Sequence, residues 1–255
     1  MSGDVVIEND GALMRLRLAR PKRRNALTLA MYDALTAGLS QAAATREVRV
    51  VVIEAEGAVF CAGNDLGDFV ANPPSGEDSP VMRFLGAIAS FPKPIVAVVA
   101  GPAVGIGVTM LLHCDLVYVS PNATFEMPFT RLGLVPEAAS SLLFPRLAGQ
   151  ARAASWLLLG ERFGADEARE AGLVTAIHPA EVLEQVATAK ARAVAALPPE
   201  AVRQTKELLR APDRAAVAAV MRTEGELFIA RLSSPETAEA IGAFFEKRTP
   251  DFSKF

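Results

Sequence analysis

The stretch that decides the fold is Gly101-Pro-Ala-Val-Gly-Ile-Gly-Val-Thr-Met-Leu-Leu-His-Cys-Asp115. It follows Pro94-Ile-Val-Ala-Val-Val-Ala100, an apolar run that reads as a buried strand. Three glycines and a proline then bring the backbone round a tight loop, and residues 108–112 read as a helix starting directly off that loop. A helix start leaves backbone N–H groups unpaired and carries the positive end of the helix dipole. Glycine lets a ligand approach that backbone closely. The stretch is therefore suited to hold negative charge with main-chain N–H groups, and the rest of the chain must say which charge.

At 255 residues and 51% hydrophobic, the chain is long enough for a full core, as one large domain or as a domain with an appendage. A formal net charge of −3 argues against a nucleic-acid surface, so an anionic ligand must be met by local charge or helix dipoles. Cys61 and Cys114 lie in apolar surroundings and read as buried free thiols. The N-terminal residues have no signal-peptide pattern, no apolar run approaches the ~20 residues of a bilayer span, and the C-terminal Asp-Phe-Ser-Lys-Phe is no peroxisomal or retention signal. The expectation is a cytoplasmic protein without membrane or nucleic-acid partners. Neither His113 nor His178 belongs to a cluster with ligand spacing, so no metal site is expected.

Outward from the central stretch, the N-terminal side alternates strands and helices. Residues 5–8 and 14–18 read as strands about an Asn9-Asp-Gly11 turn. Pro21-Lys-Arg-Arg-Asn25 is a basic loop, and Thr28 is placed to cap a helix reaching about residue 45. Residues 48–54 form a β-branched run. Phe60-Cys-Ala-Gly-Asn-Asp-Leu66 is a loop of small residues, 72–80 a mobile Pro/Ser/Gly-rich segment, and 81–91 a helix. On the C-terminal side, 116–119 is a strand and 123–127 is extended. Residues 134–141 enter a helix with Glu137 in its first turn, 151–159 and 165–171 are helices, and 174–177 is a strand. Everything after residue 180 reads as helix, broken by Pro198-Pro199. The pattern predicts an α/β core over residues 1–197 and an all-helical region over 198–255.

A Gly-rich loop after a strand also fits the cofactor loop of short-chain dehydrogenases. That reading fails on position, because the loop falls after residue 100 and not in the first strand–helix unit. It also fails on chemistry, because neither Tyr32 nor Tyr118 has a lysine four residues on. A second loop offers a better account. Ala62-Gly63-Asn64-Asp65-Leu66 also follows a strand, and two such loops, each presenting one N–H, can clamp one developing oxyanion. One such donor is worth on the order of 3–4 kcal/mol.

Five segments together resemble the crotonase (enoyl-CoA hydratase/isomerase) family: Pro21-Lys-Arg-Arg-Asn-Ala-Leu27, Phe60–Leu66, Gly101–Gly107 with Cys114-Asp115, Ala165-Asp-Glu-Ala-Arg-Glu-Ala-Gly-Leu-Val174, and Phe244-Phe-Glu-Lys-Arg248. Each is weak alone, but they occur in the family's order over essentially the whole chain. The resemblance implies a spiral of strand–strand–helix turns with C-terminal helices that drive assembly into a homotrimer or a dimer of trimers. It implies an acyl-CoA thioester as substrate, with no separate cofactor. The thioester oxygen would sit between the N–H groups of Asn64 and Ile106. Ala62, Asn64, Asp65 and Leu66 would meet the adenine and pantetheine of CoA, and Lys22, Arg23 and Arg24 its phosphates.

The reaction turns on the acid/base groups, because a fold does not fix a chemistry. Hydratases of this family use two glutamates, and their places here are taken by Thr109 and Phe129, which would instead line the acyl pocket. Glu126 lies an odd number of residues from Phe129 on an extended segment and so points to the other face. Glu137, in Leu134-Val-Pro-Glu137, stands where the Δ3,Δ2-enoyl-CoA isomerases of the family carry their single catalytic glutamate, and Gly-Asn-Asp-Leu in the first loop matches them too. The expectation is an isomerase with Glu137 as base, in a pocket whose burial raises its pKa. The alternatives are enoyl-CoA hydration, acyl-CoA thioester hydrolysis, or an acyl-CoA-binding homologue without turnover.

Overall fold

A computed structural model describes residues 3–255. The chain opens with a hairpin of β1 (Val5–Asp10) and β2 (Leu13–Leu18), turning at Gly11, whose φ of 64° suits glycine. Then come α1 (Leu29–Ala44), β3 (Val50–Ala55), α2 (Leu66–Ala71) and α3 (Pro80–Ala89). The central stretch supplies β4 (Ile95–Val99), β5 (Ala103–Val104) and α4 (Ile106–Thr109), followed by β6 (Leu116–Val119) and β7 (Thr124–Glu126). Beyond these lie α5 (Ser140–Ala148), α6 (Gln150–Ala154), β8 (Phe163–Gly164), α7 (Ala165–Glu170) and β9 (Ala176–Ile177). The chain closes with α8 (Ala180–Ala195), α9 (Pro199–Arg210), α10 (Arg214–Leu232) and α11 (Pro235–Glu246).

The strands make two sheets. The larger has the order β1-β2-β3-β4-β6-β9 and is parallel except for the β1–β2 hairpin. The smaller has the order β5-β7-β8. Successive turns thus place one strand in the large sheet and the next in the small one, β4 then β5 and β6 then β7, before the chain returns through helix. This is the spiral that the resemblance implies.

Both faces of the large sheet are covered, which explains why β3 and β4 read as unbroken apolar runs. One face joins the main core with Tyr32, Phe84, Phe125, Phe144 and Trp156. The other receives α8, whose Leu183, Ala187 and Ala191 pack on Val50, Val52, Val96 and Val98. Helix starts follow side-chain chemistry where it is available. The hydroxyls of Thr28 and Ser79 accept from the N–H groups of Met31 and Met82, and Asp65 caps α2 through Gly67 and Asp68.

Beyond Pro198 the chain leaves the sheet. Helix α9 has no buried residue and is held to the core by Lys206 and Arg210, which pair with Asp115. Helix α10 then comes back: Phe228 joins the main core and meets Phe69 of α2 edge-on at 6.0 Å. Cys61 and Cys114 are buried and free. Among the described residues no helix is long and apolar enough to cross a membrane.

Two local expectations are corrected. The helix after the central loop begins at Ile106, not Val108, and continues as a 3-10 turn from Met110 to His113. Glu137 is not inside a helix. Helix α5 starts at Ser140, because Ala138 and Ala139 have φ of 61° and 57°, a left-handed backbone that cannot continue a helix backward.

Candidate active site

The two loops are joined edge to edge. The Val104 N–H donates to the Cys61 carbonyl at 2.8 Å, and the Phe60 N–H donates to the Pro102 carbonyl at 3.0 Å. On its other edge the first loop pairs with Leu27, whose N–H donates to the Gly63 carbonyl and whose carbonyl accepts from the Asp65 N–H, both at 2.8 Å. In such a parallel bridge the intervening residue turns its own N–H the opposite way, so the Asn64 N–H points away from Leu27. Gly63 and Gly105 have φ of 89° and 54°, and a Cβ on Gly105 would stand 3.9 Å from the Gly63 Cα. The two turns therefore lie in contact. Ile106 opens α4, where an N–H has no carbonyl four residues earlier in the helix.

Glu137 comes to this place from the loop before α5. It is buried, and its carboxylate accepts a long hydrogen bond of 3.5 Å from the Thr109 hydroxyl. Thr109 lies three residues after Ile106 on α4, so the residue that donates to the carboxylate is within one helical turn of Ile106. Burial, then the negative charge of Glu224, push the Glu137 pKa up to about 8, while the Thr109 hydrogen bond works in the opposite direction. Phe129, in the place of the second hydratase glutamate, is buried.

Three further groups around Glu137 hold no charge at neutral pH. Burial pushes the Tyr32 phenol well above its ordinary value and the Cys61 thiol up to about 12. Burial pushes His113 down to about 4. The neutral His113 ring donates from Nε2 to the Ala138 carbonyl at 2.9 Å, since a carbonyl can only accept. His113 is thus a satisfied core residue, and it fixes the residue next to Glu137. Glu224 of α10 fixes two donors just beyond Glu137: its carboxylate accepts from the Ala139 N–H at 2.6 Å and from the Ser141 N–H at 2.9 Å.

The candidate CoA residues gather beside the first loop. Lys22, Arg23 and Arg24 are exposed on and after a 3-10 turn, with no side-chain ion pair among the described residues. The Ala62 N–H donates to the Arg24 carbonyl at 3.0 Å, which ties the basic turn to the loop. Asn25 anchors that turn from below: fully buried, its side chain accepts from the Arg20 N–H and donates to the carbonyls of Glu56 and Val59. The Asp65 side chain is occupied by Arg20 at 2.7 Å and by the α2 cap, and its backbone N–H by the Leu27 carbonyl. The Asn64 side chain accepts from the Tyr32 hydroxyl at 2.5 Å, and Leu66 begins α2. Glu126 is held by Arg131 and Arg162.

Sequence reading gave Tyr32, Arg20 and Glu224 no place in this site. The side chain of Arg20 contacts a residue 45 positions away, and that of Glu224 a backbone 85 positions away. No local pattern reports such a pairing. Two facing backbone turns with a buried carboxylate beside them define an acyl-transfer or enolate-type site.

Comparison with known proteins gives the lineage. The model of the family described as "Enoyl-CoA hydratase/isomerase" matches residues 8–254. The rat protein named enoyl-CoA delta isomerase 2 is 37% identical over 97% of this chain, and the chain spans 64% of that protein's length. A Rhodobacter capsulatus protein named probable enoyl-CoA hydratase is also 37% identical, over 93% of each chain. The crystal structure of an enoyl-CoA hydratase/isomerase from Pseudoalteromonas atlantica superposes with a TM-score of 0.94 at 43% identity, covering 98% of this chain and all of that one. The chain belongs to the enoyl-CoA hydratase/isomerase family and has the crotonase fold.

Proposed function

We propose that the protein is a Δ3,Δ2-enoyl-CoA isomerase, with an acyl-CoA thioester as substrate and Glu137 as its single acid/base group. The observation that carries this reading is the buried Glu137 carboxylate, which accepts from Thr109, the residue that stands where a hydratase of the family has its first glutamate. The other buried carboxylate nearby, Glu224, is spent on two backbone N–H groups.

In this reading the thioester oxygen accepts from the Asn64 and Ile106 N–H groups. Glu137 removes a proton from C2. The C2–H electrons form a C1=C2 bond as the carbonyl π electrons move onto the thioester oxygen, giving the dienolate with its C3=C4 bond still in place. The protonated Glu137 then delivers the same proton to C4: the C3=C4 electrons take it, the C1=C2 electrons form C2=C3, and the thioester carbonyl re-forms. No cofactor is required, since the two N–H groups stabilise the charge as it develops. A carboxyl with pKa near neutrality can both take and return the proton. Lys22, Arg23 and Arg24 meet the CoA phosphates, the backbone of Ala62, Asn64, Asp65 and Leu66 meets its adenine and pantetheine, and Thr109 and Phe129 line the acyl pocket. The exposed Phe244, Phe245, Leu208 and Leu209 support assembly through the C-terminal helices into a trimer or a dimer of trimers.

The test is product analysis with 3-hexenoyl-CoA. Formation of 2-hexenoyl-CoA, lost in Glu137→Gln, supports the isomerase. Hydration of 2-enoyl-CoA, release of free CoA, or tight CoA binding without turnover would each replace it with the corresponding alternative.

A further inference from the structure

We infer that Glu224 is a positioning residue for Glu137, holding the turn that carries it and bringing a second buried carboxylate to the backbone two residues beyond it. The inference rests on the reading of Glu137 as the base. The turn needs holding: Ala138 and Ala139 both adopt left-handed backbone, which costs energy for a residue with a Cβ. Helix α5 also lacks the usual side-chain cap, because its N-cap residue is Ala139. Glu224 supplies that cap from another helix. Its two oxygens take the N–H groups of Ala139 and Ser141, and these bonds lock the residues just beyond Glu137. On the other side of the turn His113 holds the Ala138 carbonyl.

The electrostatic environment makes the second role specific. The titratable groups about Glu137 are Tyr32 from α1, Cys61 from the first loop, His113 from the turn after α4, and Glu224 from α10. The first three stay neutral near pH 7. Glu224 is also pushed upward by burial, but its backbone hydrogen bonds favour the ionised form. Its negative charge, when it is ionised, opposes ionisation of Glu137.

The experiment compares the full chain with Glu224→Gln and Glu224→Asp. The titration of Glu137 is followed by its protonated-carboxyl infrared band, assigned by its disappearance in Glu137→Gln, and kcat and KM are measured against pH with 3-hexenoyl-CoA. Glu224→Gln keeps the volume, removes the charge, and can accept only one of the two backbone N–H groups. The Glu137 midpoint is expected to move toward acid by about one unit or more, and the acid limb of kcat/KM to move with it. Glu224→Asp keeps the charge on a shorter arm, so the midpoint stays raised while kcat falls at least tenfold and KM changes little. An unmoved midpoint in a folded Glu224→Gln protein overturns the inference. If that variant does not fold, an unchanged kcat in Glu224→Asp overturns it. A midpoint that moves in a protein that does not isomerise 3-hexenoyl-CoA supports Glu224 and refutes the proposed reaction.

Discussion

The Thr109 hydroxyl and the Glu137 carboxylate face each other at 3.5 Å across the junction between α4 and the loop before α5, and both are buried. The central Gly-rich stretch and the Glu137 loop are 28 residues apart in sequence and meet at this contact. Its consequence is a buried carboxyl whose one side-chain hydrogen bond comes from Thr109, poised to exchange a proton.

Replacing Glu137 by Gln tests that arrangement on activity and stability together. Loss of a positioned acid/base group is expected to lower kcat by about 10²–10⁴-fold without loss of folding. Stability should move the opposite way. The pKa rises from 4.5 in the unfolded chain to about 8 in the folded one. Between those values the folded state binds the proton and the unfolded state does not, so this group's contribution falls as pH rises from about 4.5 to about 8. Chemical denaturation should show Glu137→Gln gaining on the original chain across that window, by on the order of 3 kcal/mol at pH 7, with little difference near pH 4. A constant difference across the range would show that Glu137 does not titrate as described.

The pH profile gives a second test. A base must be ionised to act, so kcat/KM should climb about tenfold per pH unit below the Glu137 pKa of about 8 and level off above it. Thr109→Val removes the hydrogen bond that favours the ionised carboxylate and leaves the volume nearly unchanged. The acid limb should then shift to higher pH. A limb that stays in place would remove Thr109 from the site's electrostatics.

The main strands, the two small-residue loops and the first long helix were legible in the sequence, because each depends on local chemistry: β-branched runs in β3 and β4, small residues at Gly63 and Gly105, and a cap at Thr28. What was not legible depends on contacts between distant residues. The strands β5 and β8 have two residues each and carry no period to detect. The left-handed turn at Ala138 and Ala139 has none of the glycine or asparagine that marks such turns, so Glu137 read as helical. His113 and Glu224 hold that turn from elements outside it, and neither bond has a sequence signature.

His113 gives a third prediction. His113→Phe leaves the buried Ala138 carbonyl without its donor, which costs about 1–3 kcal/mol and should lower kcat through the adjacent Glu137. The original His113 is neutral and held at about 4, below its unfolded value of 6.5. In that window the unfolded state binds the extra proton, so His113 contributes stability above pH 6.5 that is lost progressively toward pH 4. The variant should lose this acid-side slope. Equal slopes in urea midpoints from pH 4 to 7 would count against the buried neutral ring.

The last prediction concerns the spacing between the two donor loops. A Cβ on Gly107 would lie 2.8 Å from the Cys61 Cβ and 2.9 Å from the Cys61 carbonyl oxygen. That carbonyl already accepts the Val104 N–H, so the first loop cannot retreat without breaking the bond that joins it to the second. In Gly107→Ala the start of α4 must therefore move, taking the Ile106 N–H away from the Asn64 N–H. Overpacking of this kind costs about 1–3 kcal/mol. A displacement approaching an ångström should lower kcat by about 10²-fold, while the Lys22–Arg24 turn, remote from the clash, keeps CoA binding within a few fold. Gly242→Ala in α11 is the control: nothing lies within 4 Å of the added Cβ, so the substitution should leave kcat unchanged. It should also raise stability by up to about 1 kcal/mol through helix propensity. If Gly107→Ala matches that control in kcat, the donors are not set by the contact between Gly107 and Cys61.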